Sequence, residues 1–434
     1  MANVGWGTLE PLDFNAIDVG RYLFLTPSDR AARYHAGDLR ALGLADHQVE
    51  FFGTGFVYDA AGQLVSGVIT AVEESVNDQL LGRFRELSVT VEQFRALAAP
   101  GQSQAALAFL LAGDDRIAAS SFADYAAGYA GNDFMDMGSG DDVAFGGPGN
   151  DVIVARSGTD TVLLSGAAAD YQLVIWGDNV APLPRSAAAF AADGVDKLIA
   201  AERLSFLASG ETVAIGADNF APLNYIAGYD DLIQVFGANP NAGFDHYIYA
   251  GAFEGRGVRF SGFEYLASYD DLLAAFGPSG DEAAAAHYIT SGRAEGRAVL
   301  FDGLAYVASY RDLIRDLGAD GDAGAAHFLA IGRDAGRSVR FDPLQYTAGY
   351  DDLIVAFGLD RDAASTHFIQ RGLAERRSPD RFDAEQYLDN YADLRAAFGD
   401  DENAATIHYI MSGYDEGRTD DRLAGPRGSE DFLL

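Results

Sequence analysis

Cysteine is absent from all 434 residues, which excludes disulfides, thiolate metal sites and a cysteine nucleophile in one step. Stability must come from packing or from metal bound through oxygen. Lysine is almost absent too: Lys197 is the only one, so the 30 basic side chains are nearly all arginine and no polybasic segment exists. Against them stand 65 acidic side chains, for a net charge of -35. Nucleic acid and anionic lipid surfaces are therefore poor partners, and cations are the favoured small ligands. No stretch approaches ~20 consecutive apolar residues, so no membrane insertion is expected. The opening Met1 to Glu10 has neither a basic start nor an apolar run, so no Sec-type leader is read there and export would need another route. The chain is nonetheless 49% hydrophobic and 12% aromatic, which is enough to bury the cores of roughly two to four domains.

The most specific pattern lies between Leu110 and Leu163. Aspartate recurs every nine residues at Asp115, Asp124, Asp133, Asp142, Asp151 and Asp160. Two residues before them stand Gly113, Gly131, Gly140, Gly149 and Gly158, with Phe122 alone breaking the series. Two residues after them stand Ile117, Ala126, Met135, Ala144, Ile153 and Val162. The three types divide the work of one unit. Glycine permits a tight turn with positive φ, aspartate offers hard oxygen ligands, and the apolar residue points inward from a short strand.

The run Gly146-Gly147-Pro148-Gly149-Asn150-Asp151-Val152-Ile153-Val154 matches in full the nonapeptide of the RTX (repeats-in-toxin) proteins, and the flanking units, such as Met137 to Phe145, match less completely. The resemblance implies a parallel β-roll, a calcium-binding β-solenoid in which residues eighteen apart stack and share Ca²⁺. By that carry-over Asp115, Asp133 and Asp151 line one edge, and Asp124, Asp142 and Asp160 the other. The carbonyls of Gly131, Gly140, Gly149 and Gly158 would complete the shells. The first two units fit least, because Ala119 to Ala127 lacks the turn glycines.

Stacked carboxylates repel one another until cations neutralise them, so folding is expected to be coupled to Ca²⁺. With dissociation constants on the order of 0.1 mM, about 1 mM Ca²⁺ contributes roughly 1.4 kcal/mol per site and micromolar Ca²⁺ almost nothing. That suits a chain unfolded in a Ca²⁺-poor cytoplasm and folded outside. The ending Gly428-Ser-Glu-Asp-Phe-Leu-Leu434 is similar to the terminal signal of type I secretion substrates, which points to an extracellular or cell-surface location.

From Phe220 to about Arg418 the chain repeats at a period of 40 or 41, with units such as Phe341-Asp-Pro-Leu-Gln-Tyr-Thr-Ala-Gly-Tyr-Asp-Asp-Leu. Five copies carry His246, His287, His327, His367 and His408, together with Asp231, Asp271, Asp312, Asp352 and Asp393, and Arg256, Arg297, Arg337, Arg377 and Arg418. Each unit reads as short helices capped by aspartate and stopped by glycine, too short to stand alone and so packed as an array. One histidine per unit is too few for Zn²⁺, so a hydrogen-bonding or packing role is expected ahead of pH sensing. The Asp and Arg read as an N-cap and an inter-repeat ion pair. Sugar binding through tyrosine and arginine stays open. Similar units occur beside RTX ladders in secreted bacterial surface proteins.

At the flanks, Gly53 to Val65 reads as a hairpin, Val91 to Leu97 as a helix, and Asp170 to Trp176 and Leu204 to Val213 as strands capping the ladder. Neither His35 nor His47 completes H-E-x-x-H, and Gly101-Gln-Ser-Gln-Ala105 fails as a G-x-S-x-G elbow. No catalytic residue is assigned and no enzyme is expected. The expected fold is mixed α and β: a small mixed N-terminal domain (1–109), a parallel β-roll (110–163), a β-rich cap (164–218), five helical repeats (219–419) and a signal-like tail (420–434). The expected function is that of a secreted, calcium-binding structural or adhesive protein, an S-layer or matrix component, whose partners are Ca²⁺ and copies of itself or cell-surface polysaccharide. A carbohydrate-binding module or adhesin is the alternative, and a secreted hydrolase stands behind it.

Overall fold

The nine-residue period becomes, in a computed structural model, six short strands that alternate between two sheets. The structure describes residues 2–6, 12–15, 17, 33–35, 47–76, 79–98 and 102–422. The chain divides into two compact units, Met1–Ala221 with Phe244–Gly257, and Pro222–Gly243 with Val258–Leu434.

The first unit begins with β1 (Asn3–Trp6), β2 (Arg33–His35), β3 (His47–Tyr58), β4 (Leu64–Val76) and β5 (Gln79–Thr90), followed by α1 (Val91–Leu97) and α2 (Ser103–Leu110). The hairpin turn forms because Asp59 Oδ1 accepts from the N–H groups of Ala61 and Gln63 at 2.9 and 2.8 Å. Thr90 starts α1 through a capping box with Gln93. The ladder strands are β6 (Arg116–Ala118), β7 (Tyr125–Ala127), β8 (Phe134–Asp136), β9 (Val143–Phe145), β10 (Val152–Val154) and β11 (Thr161–Leu164). After them come β12 (Tyr171–Trp176), β13 (Asn179–Pro184), α3 (Ala187–Asp193), β14 (Lys197–Ile199), β15 (Arg203–Phe206) and β16 (Glu211–Ala214).

Strands β6, β8, β10 and β14 pair in parallel in one sheet, and β7, β9, β11 and β15 in the other. The register stacks the apolar position of every unit in columns, Ile117, Met135, Ile153 and Leu198 on one side and Ala126, Ala144, Val162 and Leu204 on the other. All of these are buried, since a three-residue strand points its middle residue inward and its ends outward. The turns between strands stack closely: at Gly149, with φ 146°, a Cβ would stand 1.8 Å from the Gly131 carbonyl oxygen. Only glycine fits there.

The described residues before position 110 share a sheet and a core with the ladder. Strand β1 runs parallel to β6 on one side and antiparallel to β5 on the other, and β4, β3 and β2 continue the sheet. Val4, Phe14, Phe51, Leu107, Ile153 and Leu204 belong to one apolar cluster. The opposite edge is closed by the antiparallel pair β13 and β12 beside β14, and in the second sheet by β16 beside β15.

In the second unit, each repeat from Phe260 onward contains three short helices and a π-helical turn, as in Pro343–Ala348, Asp351–Phe357, Arg361–His367 and Phe368–Gly372. The aspartates Asp302, Asp342 and Asp383 cap the first helix of their repeats, as their position before the helical run implies. The fully buried tyrosines Tyr265, Tyr306, Tyr346 and Tyr387 bond through their hydroxyls to Nδ1 of His287, His327, His367 and His408 at 3.1, 3.0, 2.9 and 3.0 Å. The widened π turn brings a glycine over the same hydroxyl; at Gly372 a Cβ would lie 2.3 Å from Tyr346 Oη. The repeated histidine is thus an internal tyrosine partner.

The repeated Asp and Arg differ from expectation. Asp271, Asp312, Asp352 and Asp393 lie inside the first turn of the second helix, whose N-cap is a tyrosine, and they pair with Arg297, Arg337, Arg377 and Arg418 of the same repeat. Each of those arginines also lies over a tyrosine ring, at 4.7 to 5.0 Å. A guanidinium held between an aromatic face and a carboxylate has its partner within reach locally. Pairs between repeats use the preceding aspartate, Asp230 with Arg293 and Asp270 with Arg333. The first copy shows the same order of helices, while its Phe244 and Ile248 are buried with Val174, Leu183 and Val195 in the first unit. Among the described residues no helix is long and apolar enough to cross a membrane. The signal-like tail lies outside the described residues from position 423 onward.

Candidate metal centre

Each ladder turn delivers its aspartate to the same place, because the chain reverses two residues earlier, at a glycine in every turn but that of Phe122, and the strand begins one residue later. The carboxylate then meets the backbone of the turn eighteen residues before it. Oδ1 of Asp133, Asp142, Asp151 and Asp160 accepts from the N–H groups of Asp115, Asp124, Asp133 and Asp142 at 2.7 to 2.8 Å. The series continues past the expected ladder: Asp151 N–H donates to Asp196 Oδ1 at 2.9 Å, and Asp160 N–H to Glu202 Oε2 at 2.8 Å. At the other end the N–H groups of Ala2 and Leu12 donate to Oδ1 of Asp115 and Asp124. The expected edges are therefore present, with Asp115, Asp133 and Asp151 on one and Asp124, Asp142 and Asp160 on the other.

The second oxygen of each rung decides the chemistry. Oδ2 of Asp115, Asp133, Asp142, Asp151 and Asp160 is buried without a hydrogen-bond partner, and the residues themselves are 0 to 3% exposed. An anionic oxygen left so is costly. Burial, reinforced by the carboxylates of Asp151 and Asp115, pushes Asp133 up to about 8. Burial likewise pushes Asp142 and Asp151 up to about 7, and raises Asp115 and Asp160. Each of these five rungs needs either a proton or a cation.

Glycines open the space beside these oxygens. A Cβ on Gly146 would lie 2.2 Å from Asp151 Oδ2, and one on Gly128 would lie 2.3 Å from Asp133 Oδ2 and 2.6 Å from the Gly146 carbonyl oxygen. The expected carbonyls of Gly131, Gly140 and Gly149 face the α-carbons of Gly149, Gly158 and Gly194 in the next turn. Gly158 takes φ 145° at its own turn. Among the described residues no three carboxylate or imidazole side chains converge on one point, so a cation here draws on backbone carbonyls as well. An all-oxygen donor set of buried carboxylate and carbonyl fits a hard divalent ion.

Residues 111–144 and 138–166 match the RTX calcium-binding nonapeptide repeat, in four copies. The ladder is a run of RTX calcium-binding repeats. Such repeats bind Ca²⁺, and the orphaned oxygens lie within the matched residues. No curated protein matches the chain.

Asp124 stands apart from the other RTX aspartates. Its Oδ2 accepts from Ser120 N–H at 2.7 Å, and the Ser120 hydroxyl approaches both of its oxygens, so its carboxylate is satisfied by protein. Phe122 and Ser120 in place of turn glycines allow that local loop. Three residues escaped the sequence pattern. Asp196 and Glu202 were hidden because β12, β13 and α3 intervene, although Asp196 stands four nine-residue periods after Asp160 and Gly194-Val-Asp196-Lys-Leu198 repeats the glycine, aspartate and apolar spacing. Gly128 carried a visible signal, the same unit position as Gly146.

Proposed function

We propose that the RTX segment is a Ca²⁺-loaded parallel β-roll and that the chain is a secreted structural or adhesive protein of the bacterial cell surface, exported by a type I system. The observation that carries this reading is the row of buried, unpartnered Oδ2 atoms on Asp115, Asp133, Asp142, Asp151 and Asp160. Bound Ca²⁺ would supply the positive charge those oxygens require. The carbonyls of Gly131, Gly140, Gly149 and Gly158 are proposed as the remaining donors. The chain's own residues hold the cation's place and transmit its effect: each Oδ1 fixes the neighbouring turn, so neutralising one rung steadies the next.

The helical repeats are proposed to form a contact surface, for copies of the chain or for surface polysaccharide. A non-catalytic role is part of the proposal. It is supported by the lack of the protease and lipase motifs, and by the engagement of His287, His327, His367 and His408 with buried tyrosines.

Sedimentation of the chelator-treated chain during addition of millimolar Ca²⁺, with Mg²⁺ as control, tests the reading. Compaction followed by large ordered species is the outcome expected of a surface layer. Compaction that ends at a monomer would move the function to an adhesin or binding module. The same sedimentation coefficient with and without Ca²⁺ would refute the Ca²⁺-dependent fold.

A further inference from the structure

A second site lies in the first unit, on the outward face of the strands that join β5 to the ladder. Register places Arg85, Asn3, Arg116 and Phe134 side by side across β5, β1, β6 and β8, and Arg83, Gly5, Ala118 and Asp136 in the row two residues on. Residues two apart on a strand share a face, so the two rows form one surface. In its middle, Gly5 and Ala118 carry almost no side chain. The result is a cavity of about 310 Å³ walled by Arg83, Arg85, Arg116 and Phe134. That is the small end of the range for ligand pockets, with room for a mono- or disaccharide.

The charges around this cavity run against the composition of the chain. With 65 acidic side chains for 30 basic ones, a carboxylate is available to nearly every arginine. Arg85 has Glu73 at 2.7 Å, and Arg156 pairs with Asp136. Arg83 and Arg116 make no ion pair among the described residues. Arg116 instead lies over the Phe134 ring, 4.5 Å from its centroid, which fixes its guanidinium at the rim. Two guanidiniums with free donors at one cavity match a carboxylate, which each can bind through two parallel N–H groups. The remaining polar groups are acceptors: Glu86, bonded to Asn3 at 2.7 Å, and Asp136. They favour hydroxyl donors and repel a multiply charged phosphate.

We infer that this cavity binds a carboxylate-bearing sugar, a hexuronate unit, with Arg83 and Arg116 on its carboxylate and Glu86 and Asp136 on its hydroxyls. The inference rests on the Ca²⁺ ladder reading in one respect: β6 and β8 are ladder strands, so the pocket exists only when the ladder is folded.

Calorimetric titration of the full chain in saturating Ca²⁺ with sodium galacturonate tests it, with galactose, acetate and inorganic phosphate as comparisons. Saturable binding of galacturonate, at least ten-fold tighter than any of the three, is expected. Arg83→Gln and Gly5→Val, whose side chain would press on Arg83 because a Cβ there already comes 3.3 Å from its Nε, should each weaken it at least ten-fold while the tryptophan emission of Trp6 and Trp176 stays native. Arg116→Gln serves if either of those variants misfolds. Equal binding of galactose or phosphate, or an unchanged affinity in Arg83→Gln, would overturn the assignment. A chain that compacts with Ca²⁺ and gives no galacturonate heat overturns this inference alone; a chain without a Ca²⁺ response overturns the ladder reading and this one with it.

Discussion

Replacing Asp133 with asparagine separates the two oxygens of its carboxylate. The amide keeps an acceptor for the Asp115 N–H, now 2.7 Å away, and replaces the buried Oδ2 by a group that cannot bind a cation. In chelator at pH 7 little should change, because Asp133, pushed up to about 8, already holds a proton there and asparagine has nearly its shape. A shift within about 0.5 kcal/mol is expected. In Ca²⁺ the substitution removes a site. With a dissociation constant on the order of 0.1 mM, about 10 mM Ca²⁺ stabilises by roughly 2.7 kcal/mol per site, and in a unit of this size that moves the melting midpoint by about 5–10 °C. Both tryptophans, Trp6 and Trp176, lie in the first unit, so fluorescence melting reads that unit. Asp124→Asn is the built-in comparison: Ser120 already satisfies its Oδ2, so no Ca²⁺-specific loss is expected. Equal destabilisation of Asp133→Asn with and without Ca²⁺, or an Asp124→Asn loss as large, would refute the assignment of the orphaned oxygens.

The metal-free ladder should lose stability as pH rises. Its Asp133, Asp142 and Asp151 sit at about 8, 7 and 7 when folded against 3.8 otherwise, so the favourable protonated state is complete below about pH 4 and lost through about pH 8. Fluorescence melting in chelator at pH 5 and pH 8 checks this, and a higher midpoint at pH 8 would contradict it. Gly149→Ala, with φ 146° and a carbonyl 1.8 Å from the new carbon, should cost more than about 2 kcal/mol in chelator and Ca²⁺ alike, whereas Gly113→Ala, with open space around it, should be neutral in the same melts. Tyr346→Phe strips His367 Nδ1 of its partner at 2.9 Å and should cost about 1–2 kcal/mol in the second unit, read by near-ultraviolet dichroism and insensitive to Ca²⁺.

What the sequence disclosed followed from locality. The ladder aspartates, their glycines and their inward residues lie within nine residues of one another, so their phase survives in one dimension, as do the Asp59 turn, the Val91 to Leu97 helix and the aspartate caps of the repeats. Contacts that close over long separations left no such trace. Ala2 meets Asp115 and Asn3 pairs with Arg116 across more than a hundred residues, so the merging of the first strand with the ladder was invisible. Asp196 keeps the nine-residue phase but is cut off from the run by β12, β13 and α3, which carry none of its pattern. The pairing of Asp352 with Arg377 inside one repeat could not be told from a pairing between repeats, because both partners recur at the same period. The cavity at Gly5 depends on two residues that are conspicuous only for being small.

The alternation of ladder strands between two sheets also sets a parity rule. The capping strands touch only the terminal rungs: β1 lies beside β6, and β14 and β15 beside β10 and β11. Inserting or deleting eighteen residues would therefore lengthen or shorten the stack by one rung per sheet and return each cap to a matching neighbour. A change of nine would send every later strand to the opposite sheet, presenting β14 and β15 with each other's partners. Viable length variants of this segment should come in even numbers of units.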